Sequence, residues 1–205
     1  MADPHRIDSV ETLRELLGTP SQMAQMKVWP TLDPSAQAFI AHAPFAFLAT
    51  ADGAGRVDVS PKGDHAGFVA VEDDRTLLVP DRKGNKLIFG LQNILANPYV
   101  SLIFLIPGTK ETLRVNGCAE LTRDPAICAR LTARGQPALL AIRVTVDECF
   151  FHCPKAFMRA SLWEPETWPN YRVSFGEIFA PKLGLDPAMA PQIDEMLERD
   201  AKENL

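Results

Sequence analysis

Between residues 45 and 151 the sequence repeats one unit: a short apolar or alternating run, a turn signal, then another run. "FAFLATAD" (45–52) is apolar and reads as a buried strand. In "GRVDVSPKGD" (55–64), Val57 and Val59 fall on one face and Arg56, Asp58 and Ser60 on the other, the period of a half-buried strand. Asp52-Gly53 between them is a hairpin signal. "GFVAVE" (67–72) and "TLLVP" (76–80) repeat the pattern across the turn "DDR". "YVSLIFLIP" (99–107), "ETLRVNGCAEL" (111–121) and "ALLAIRVTVDECFF" (138–151) continue it. Six or seven closely spaced strands with hairpin turns and few helices predict a mainly β fold, an antiparallel barrel with flanking helices.

The flanks read as helical. Ile7, Val10, Leu13, Leu16 and Leu17 give helical spacing over 7–18, with Asp8 and Glu11 as a capping box and Gly18 and Pro20 as the stop. Further helices are expected at 34–42, 86–96, 124–133 (Asp124 as N-cap, Pro125 at the first position), 154–160, 174–180 and 187–202. The organisation is one domain: a helical segment at 1–43, the β core at 44–151, and a Pro-rich wrap and helix at 152–205 anchored by Trp163, Trp168, Tyr171 and Phe175. Hydrophobic residues make up 46% of 205, enough for a core without staples. Four cysteines are too few for a disulfide scaffold of this length. A net charge of −5 argues against nucleic acid as the main partner. No apolar run is long enough to span a bilayer and no signal core opens the chain, so a cytoplasmic protein with no membrane partner is expected.

Within this frame "DRKGNKL" (81–87) stands out, with three cations, a glycine and an amide placed where the 86–96 helix should begin. A helix start offers unpaired N–H groups and a positive dipole end. Arg82 adds a planar fork for phosphate oxygens and Lys83 a point charge. The segment is either a phosphate cradle or a solvated, turn-rich helix start. It is no P-loop, and neither G-x-G-x-x-G nor G-x-S-x-G occurs. "VSPKGD" and "VPDRKGN" end two nearby strands and can bracket one ligand. Alternation sets Asp58, Ser60 and Lys62 on one face, so Lys62 points along the ligand or pairs with Asp64 in a surface turn.

In this order, "RVDVSPKGD", "TLLVPDRKGNK", "NPYVSLIFLIPGTKETLRVNGCAEL" and "MRASLWEP" resemble the pyridoxamine 5′-phosphate oxidase-like family of FMN-binding split β-barrels, over about residues 40 to 170. The chain looks most like its subgroup of FMN-dependent enzymes with unassigned substrates. The resemblance implies that Arg82 and Lys83 hold the FMN phosphate, assisted by Asn85. It implies that Asp58, Val59, Ser60, Pro61 and Lys62 run along the flavin ring and ribityl chain, with Val79, Pro80 and Asp81 beneath the ring. Thr112 stands where a strand of the other subunit contributes, and Arg159 and Trp163 close the site across a homodimer. The late Arg-x-His of true pyridoxamine phosphate oxidases is missing, which counts against vitamin B6 oxidation. The function implied is an FMN-dependent oxidoreductase that takes electrons from a nicotinamide or similar donor and acts on a small molecule. A deazaflavin-dependent reductase on the same barrel, or a non-enzymatic flavin- or haem-binding protein, are the alternatives.

Other constellations point to structure. Cys149, His152 and Cys153 in "CFFHC" are metal-ligand types, but strand alternation separates Cys149 from His152 and no second cluster lies close. A buried cysteine beside a loop histidine is expected instead. His65 reads as a turn residue, and His42 as the end of a helix. Arg114 faces either the cofactor or the barrel rim.

Overall fold

The computed structural model describes residues 3, 5–84 and 86–203. Among them lie seven strands: β1 (Phe45–Ala51), β2 (Val57–Gly63), β3 (Ala70–Asp73), β4 (Thr76–Asp81), β5 (Tyr99–Leu105), β6 (Thr112–Thr122) and β7 (Leu140–His152). The helices are α1 (Val10–Leu17), α2 (Gln22–Gln25), α3 (Pro34–His42), α4 (Phe89–Ala96), α5 (Pro125–Arg130), α6 (Lys155–Arg159), α7 (Phe175–Lys182) and α8 (Ala190–Glu203).

All strand pairings are antiparallel, in the order β2-β1-β5-β6-β7-β4-β3. Four strands stand between β2 and β4. At a spacing of about 4.8 Å a flat sheet would hold the two roughly 24 Å apart. Instead, Lys62 Nζ on β2 lies 3.2 Å from Asp81 Oδ1 on β4, and Asp64 Oδ2 lies 3.1 Å from Arg82 Nε. The sheet therefore coils until its two sides meet. No ladder among the described residues joins β2 to β4; side chains bridge the seam. This is a split barrel, mainly β, with flanking helices. Pro61 sits on the edge strand β2, where a missing N–H is tolerated and blunts the edge.

The inward residues of the coiled sheet make one core. Leu48, Leu102, Phe104, Val115 and Val144, from four strands, are at most 1% exposed. Helix α4 packs on β1, β6 and β2 and buries Ile94. Helix α5 covers the outside of β4 and β7 through Ile127 and Cys128, which meet Leu78 and Ala141. Cys149 is buried and its thiol donates to the Thr31 carbonyl at 3.2 Å. The Pro-rich end is tied to the barrel by Trp163, whose Nε1 donates to Thr109 O at 2.8 Å; Trp168, which donates locally to Leu162 O at 3.1 Å, and the expected anchors Tyr171 and Phe175 are exposed. No helix among the described residues is long and apolar enough to cross a membrane.

Four local expectations are corrected. Helix α1 is capped by Ser9, whose side chain accepts from the Thr12 N–H, because the helix begins at Val10 and leaves Asp8 outside. Helix α4 begins at Phe89, not Lys86. Lys86 and Ile88 have φ of 61° and 50°, and such left-handed residues cannot continue a right-handed helix. The stretch from 187 opens with a 3₁₀ turn, Pro187–Met189, before α8. His152 closes β7 rather than sitting in a loop.

Candidate functional site

A cleft of ≈1170 Å³ opens where β2 meets the end of β4. Residues 58–64 form one wall and residues 80–82 the other. The bend at 83, 84 and 86–88 and the start of α4 complete it. Alternation along β2 half-buries Asp58, Ser60, Lys62 and Asp64 and leaves Val59 and Pro61 exposed. Lys62 is paired with Asp81 across the seam, not with Asp64 in a surface turn, because Arg82 occupies Asp64. Lys83 is exposed at the rim.

Arg82 carries the most telling detail. Its Nε donates to Asp64, while its Nη1 is buried with no acceptor among the described residues. Leaving a buried guanidinium N–H unpaired is costly. The planar fork of Arg fits the oxygens of a phosphate or carboxylate. The residues present thus fit a ligand that carries a phosphate.

The bend before α4 adds backbone donors. No side chain caps the helix, and Ile88 is left-handed immediately before helical Phe89. Successive left- and right-handed residues form a concave nest of N–H groups. A β-branched residue held at positive φ is strained, and such strain gathers at ligand sites. The start of α4 lies beside β2: a Cβ at Gly90 would make ordinary contacts, 3.8 Å from Asp58 Oδ2 and 3.9 Å from Ser60 Oγ.

Of the residues expected at the site, Asp58, Val59, Ser60, Pro61, Lys62, Pro80, Asp81, Arg82 and Lys83 all line the cleft. Val79 does not; its side chain is in the core, because β4 turns it inward. Asn85 lies outside the described residues. Thr112 is buried at the start of β6 opposite His152, Trp163 rests on the β5–β6 turn through Thr109, and Arg159 is exposed at the end of α6. None of these three lines the cleft of its own chain. Arg114 points out of the barrel, 4.1 Å over the Phe150 ring and paired with Glu148 at 2.7 Å. His65 is an exposed turn residue whose N–H donates to Asp64.

Sequence reasoning missed Asp64, Leu139, Asp200 and Ala201 as cleft residues. Asp64 was within reach, two places beyond Lys62 on the same alternation. Asp200 and Ala201 arrive from α8 by tertiary packing, which no local pattern announces.

Burial pushes the Asp64 carboxyl up, but the His65 donors and the Arg82 guanidinium outweigh it and hold the carboxyl below its ordinary range. A lowered folded-state value stabilises the protein above the unfolded carboxyl's titration, near about pH 4, and that contribution vanishes as pH falls through the folded value. The urea midpoint of the wild type should therefore drop more steeply than that of Asp64→Asn on acidification from about pH 5 to pH 3. Parallel acid limbs would show that Asp64 is not held this way.

The family model for pyridoxamine 5′-phosphate oxidase matches residues 32–153. A comparison with curated proteins finds no match. Among solved structures, HupZ of Group A Streptococcus is 19% identical, with a TM-score of 0.48, over 58% of this chain and 92% of its own. An FMN-binding protein of Syntrophomonas wolfei subsp. wolfei is 15% identical, with a TM-score of 0.47, over 70% and 97%. HutZ, a heme storage protein from Vibrio cholerae, is 18% identical, with a TM-score of 0.43, over 58% and 93%. None reaches a TM-score of 0.5, so these likenesses say nothing about the ligand. The family match is different in kind: it takes in more than half of the chain, all seven strands and most of the cleft. The chain belongs to the pyridoxamine 5′-phosphate oxidase family.

Proposed function

We propose that the protein is an FMN-dependent oxidoreductase that acts on a small molecule and works as a homodimer with the flavin at the interface. The observation that carries this reading is Arg82 Nη1, buried in the cleft without an acceptor among the described residues, beside Lys83 and a helix start with no side-chain cap. Bound FMN would supply the hydride and electron chemistry, which no side chain can perform. The chain's part is to bind and orient it. Arg82 and Lys83 hold the phosphate, and residues 58–62 lie along the ribityl chain and ring. Lys62 Nζ has three donors. One is on Asp81, which leaves two for an electron-rich ring edge. Leu87, Ile88, Phe89 and Leu139 give the cleft an apolar rim, each about half exposed.

The second subunit has a surface to use. Phe47, Val57 and Val59 are 41%, 72% and 56% exposed on the outer face of β1 and β2, an apolar band of the kind a partner covers. In the dimer, Thr112, Arg159 and Trp163 of one copy complete the cleft of the other.

An absorption spectrum of the purified protein, followed by anaerobic titration with NADH and NADPH, tests the cofactor and donor. Flavin bands that bleach with either donor are expected; a haem or deazaflavin spectrum would replace this reading. Light scattering at low concentration should give the dimer mass, and a monomer that keeps its flavin would remove the interface from the account.

A further inference from the structure

We propose that Asp64 is the positioning residue for Arg82, fixing the guanidinium so that its Nη edge meets the ligand's phosphate; this rests on the phosphate reading of the cleft. The two oxygens of Asp64 have separate tasks. Oδ1 accepts from the His65 N–H at 2.9 Å, and Oδ2 accepts from Arg82 Nε at 3.1 Å. The carboxylate is itself held in place. Its side chain is 9% exposed, and its own N–H donates to the Pro44 carbonyl at 3.1 Å. Asp64 is thus a fixed anchor on one side of the seam, and Arg82 leaves the last residue of β4 on the other.

A guanidinium is planar. Holding it at Nε sets both the plane and the direction of the remaining fork. Here the fork is presented with Nη1 buried and without a partner among the described residues, at the wall the cleft shares with Lys83 and Gly84. Orientation costs less on binding when it is supplied beforehand. Lys62 and Asp81 form a second pair across the same seam, so Asp64 is not needed to neutralise Lys62.

Charge alone predicts the opposite of positioning. A carboxylate near an anion site repels the anion, so its removal should tighten phosphate binding. If Asp64 works by orienting Arg82, its removal should loosen it. The sign decides.

The experiment titrates full-length wild type, Asp64→Ala, Asp64→Asn, Arg82→Ala and Asp64→Ala/Arg82→Ala with FMN and with riboflavin. The readout is the ratio of riboflavin Kd to FMN Kd, which reports the phosphate only. Asp64→Ala should lower the ratio about tenfold, the scale of one charge-assisted hydrogen bond. Asp64→Asn should lower it too, since His65 and Arg82 donate to different carboxylate oxygens and one of these becomes an NH2 that cannot accept. Arg82→Ala should lower it at least as far, and the double variant should fall no further than Arg82→Ala, as expected for residues acting as a unit. A ratio unchanged or raised in the Asp64 variants, with Arg82→Ala still lowering it, overturns the proposal and leaves Asp64 a strut of the seam. If Arg82→Ala itself leaves the ratio unchanged, it is the phosphate reading that fails. Should Asp64→Ala not fold, as judged by circular dichroism, the nearly isosteric Asp64→Asn decides.

Discussion

Replacing Arg82 and Lys83 together by alanine should weaken FMN binding by at least about a hundredfold, because each lost charge-assisted contact is worth about 1.5–3 kcal/mol. Riboflavin, which has no phosphate, should bind the variant nearly as it binds the wild type. The effect is assigned to the cleft because Arg82 lines it with a buried Nη1 that has no partner among the described residues, and Lys83 follows on its rim. Some loss of stability is expected as well, since Asp64 would lose its cation across the seam. Circular dichroism and a thermal melt should still show the folded barrel, whose core residues are untouched. Fluorescence titration of both flavins against both proteins gives the answer. Wild-type protein that binds riboflavin as tightly as FMN would mean that no phosphate cradle exists here.

The second large effect is on the fold itself. Gly117 lies in β6 where the register against β7 shifts, between Asn116 and Gly117. A Cβ at this position would stand 2.1 Å from the Thr145 carbonyl oxygen and 2.9 Å from its carbon. Those are backbone atoms and cannot rotate away, so the two strands must part. The pairing at risk joins the two longest strands, in the middle of the sheet. Gly117→Ala should therefore destabilise the protein by about 3 kcal/mol or more, at or beyond the usual range for overpacking. Urea denaturation measures it. Gly53→Ala is the control: nothing lies within 4 Å of a Cβ there, and its midpoint should barely move. Equal midpoints for the two variants would show that the bulge can absorb a methyl group.

The strands were legible because their signal is local. Period-two alternation and turn residues fix an element within a few positions, and all seven expected runs became strands within a few residues of their predicted limits. The start of α4 was misread for an equally local reason. Lys86, Leu87 and Ile88 are ordinary helix residues by composition, and only the positive φ at 86 and 88 removes them. Residue types alone do not announce that conformation. The cationic segment was recognisable from its chemistry, but its place was not: the cations sit in a bend ahead of the helix. Lys62 shows the same limit. Alternation gave its face, but its partner, Asp81, comes from another strand and depends on how far the sheet coils. Val79 was placed with Pro80 and Asp81 beneath the ring by the family resemblance; in the structure it is buried in the core and only the other two line the cleft.

The seam between β2 and β4 has a kinetic consequence. Two ion pairs cross it, and no ladder of main-chain hydrogen bonds among the described residues does. Every other boundary between neighbouring strands must unzip a ladder to open, whereas here only side chains need to let go. Local opening of a fold follows its weakest boundary, so the barrel should part first at this seam, with the β1–β5 ladder intact. A ligand can then enter and leave without global unfolding, and its residence time becomes a property of the gate. The charges that hold the seam are 9–28% exposed, so mobile ions screen them only weakly. Acid that protonates Asp64, rather than salt, should therefore loosen the seam and shorten the stay of whatever the cleft holds.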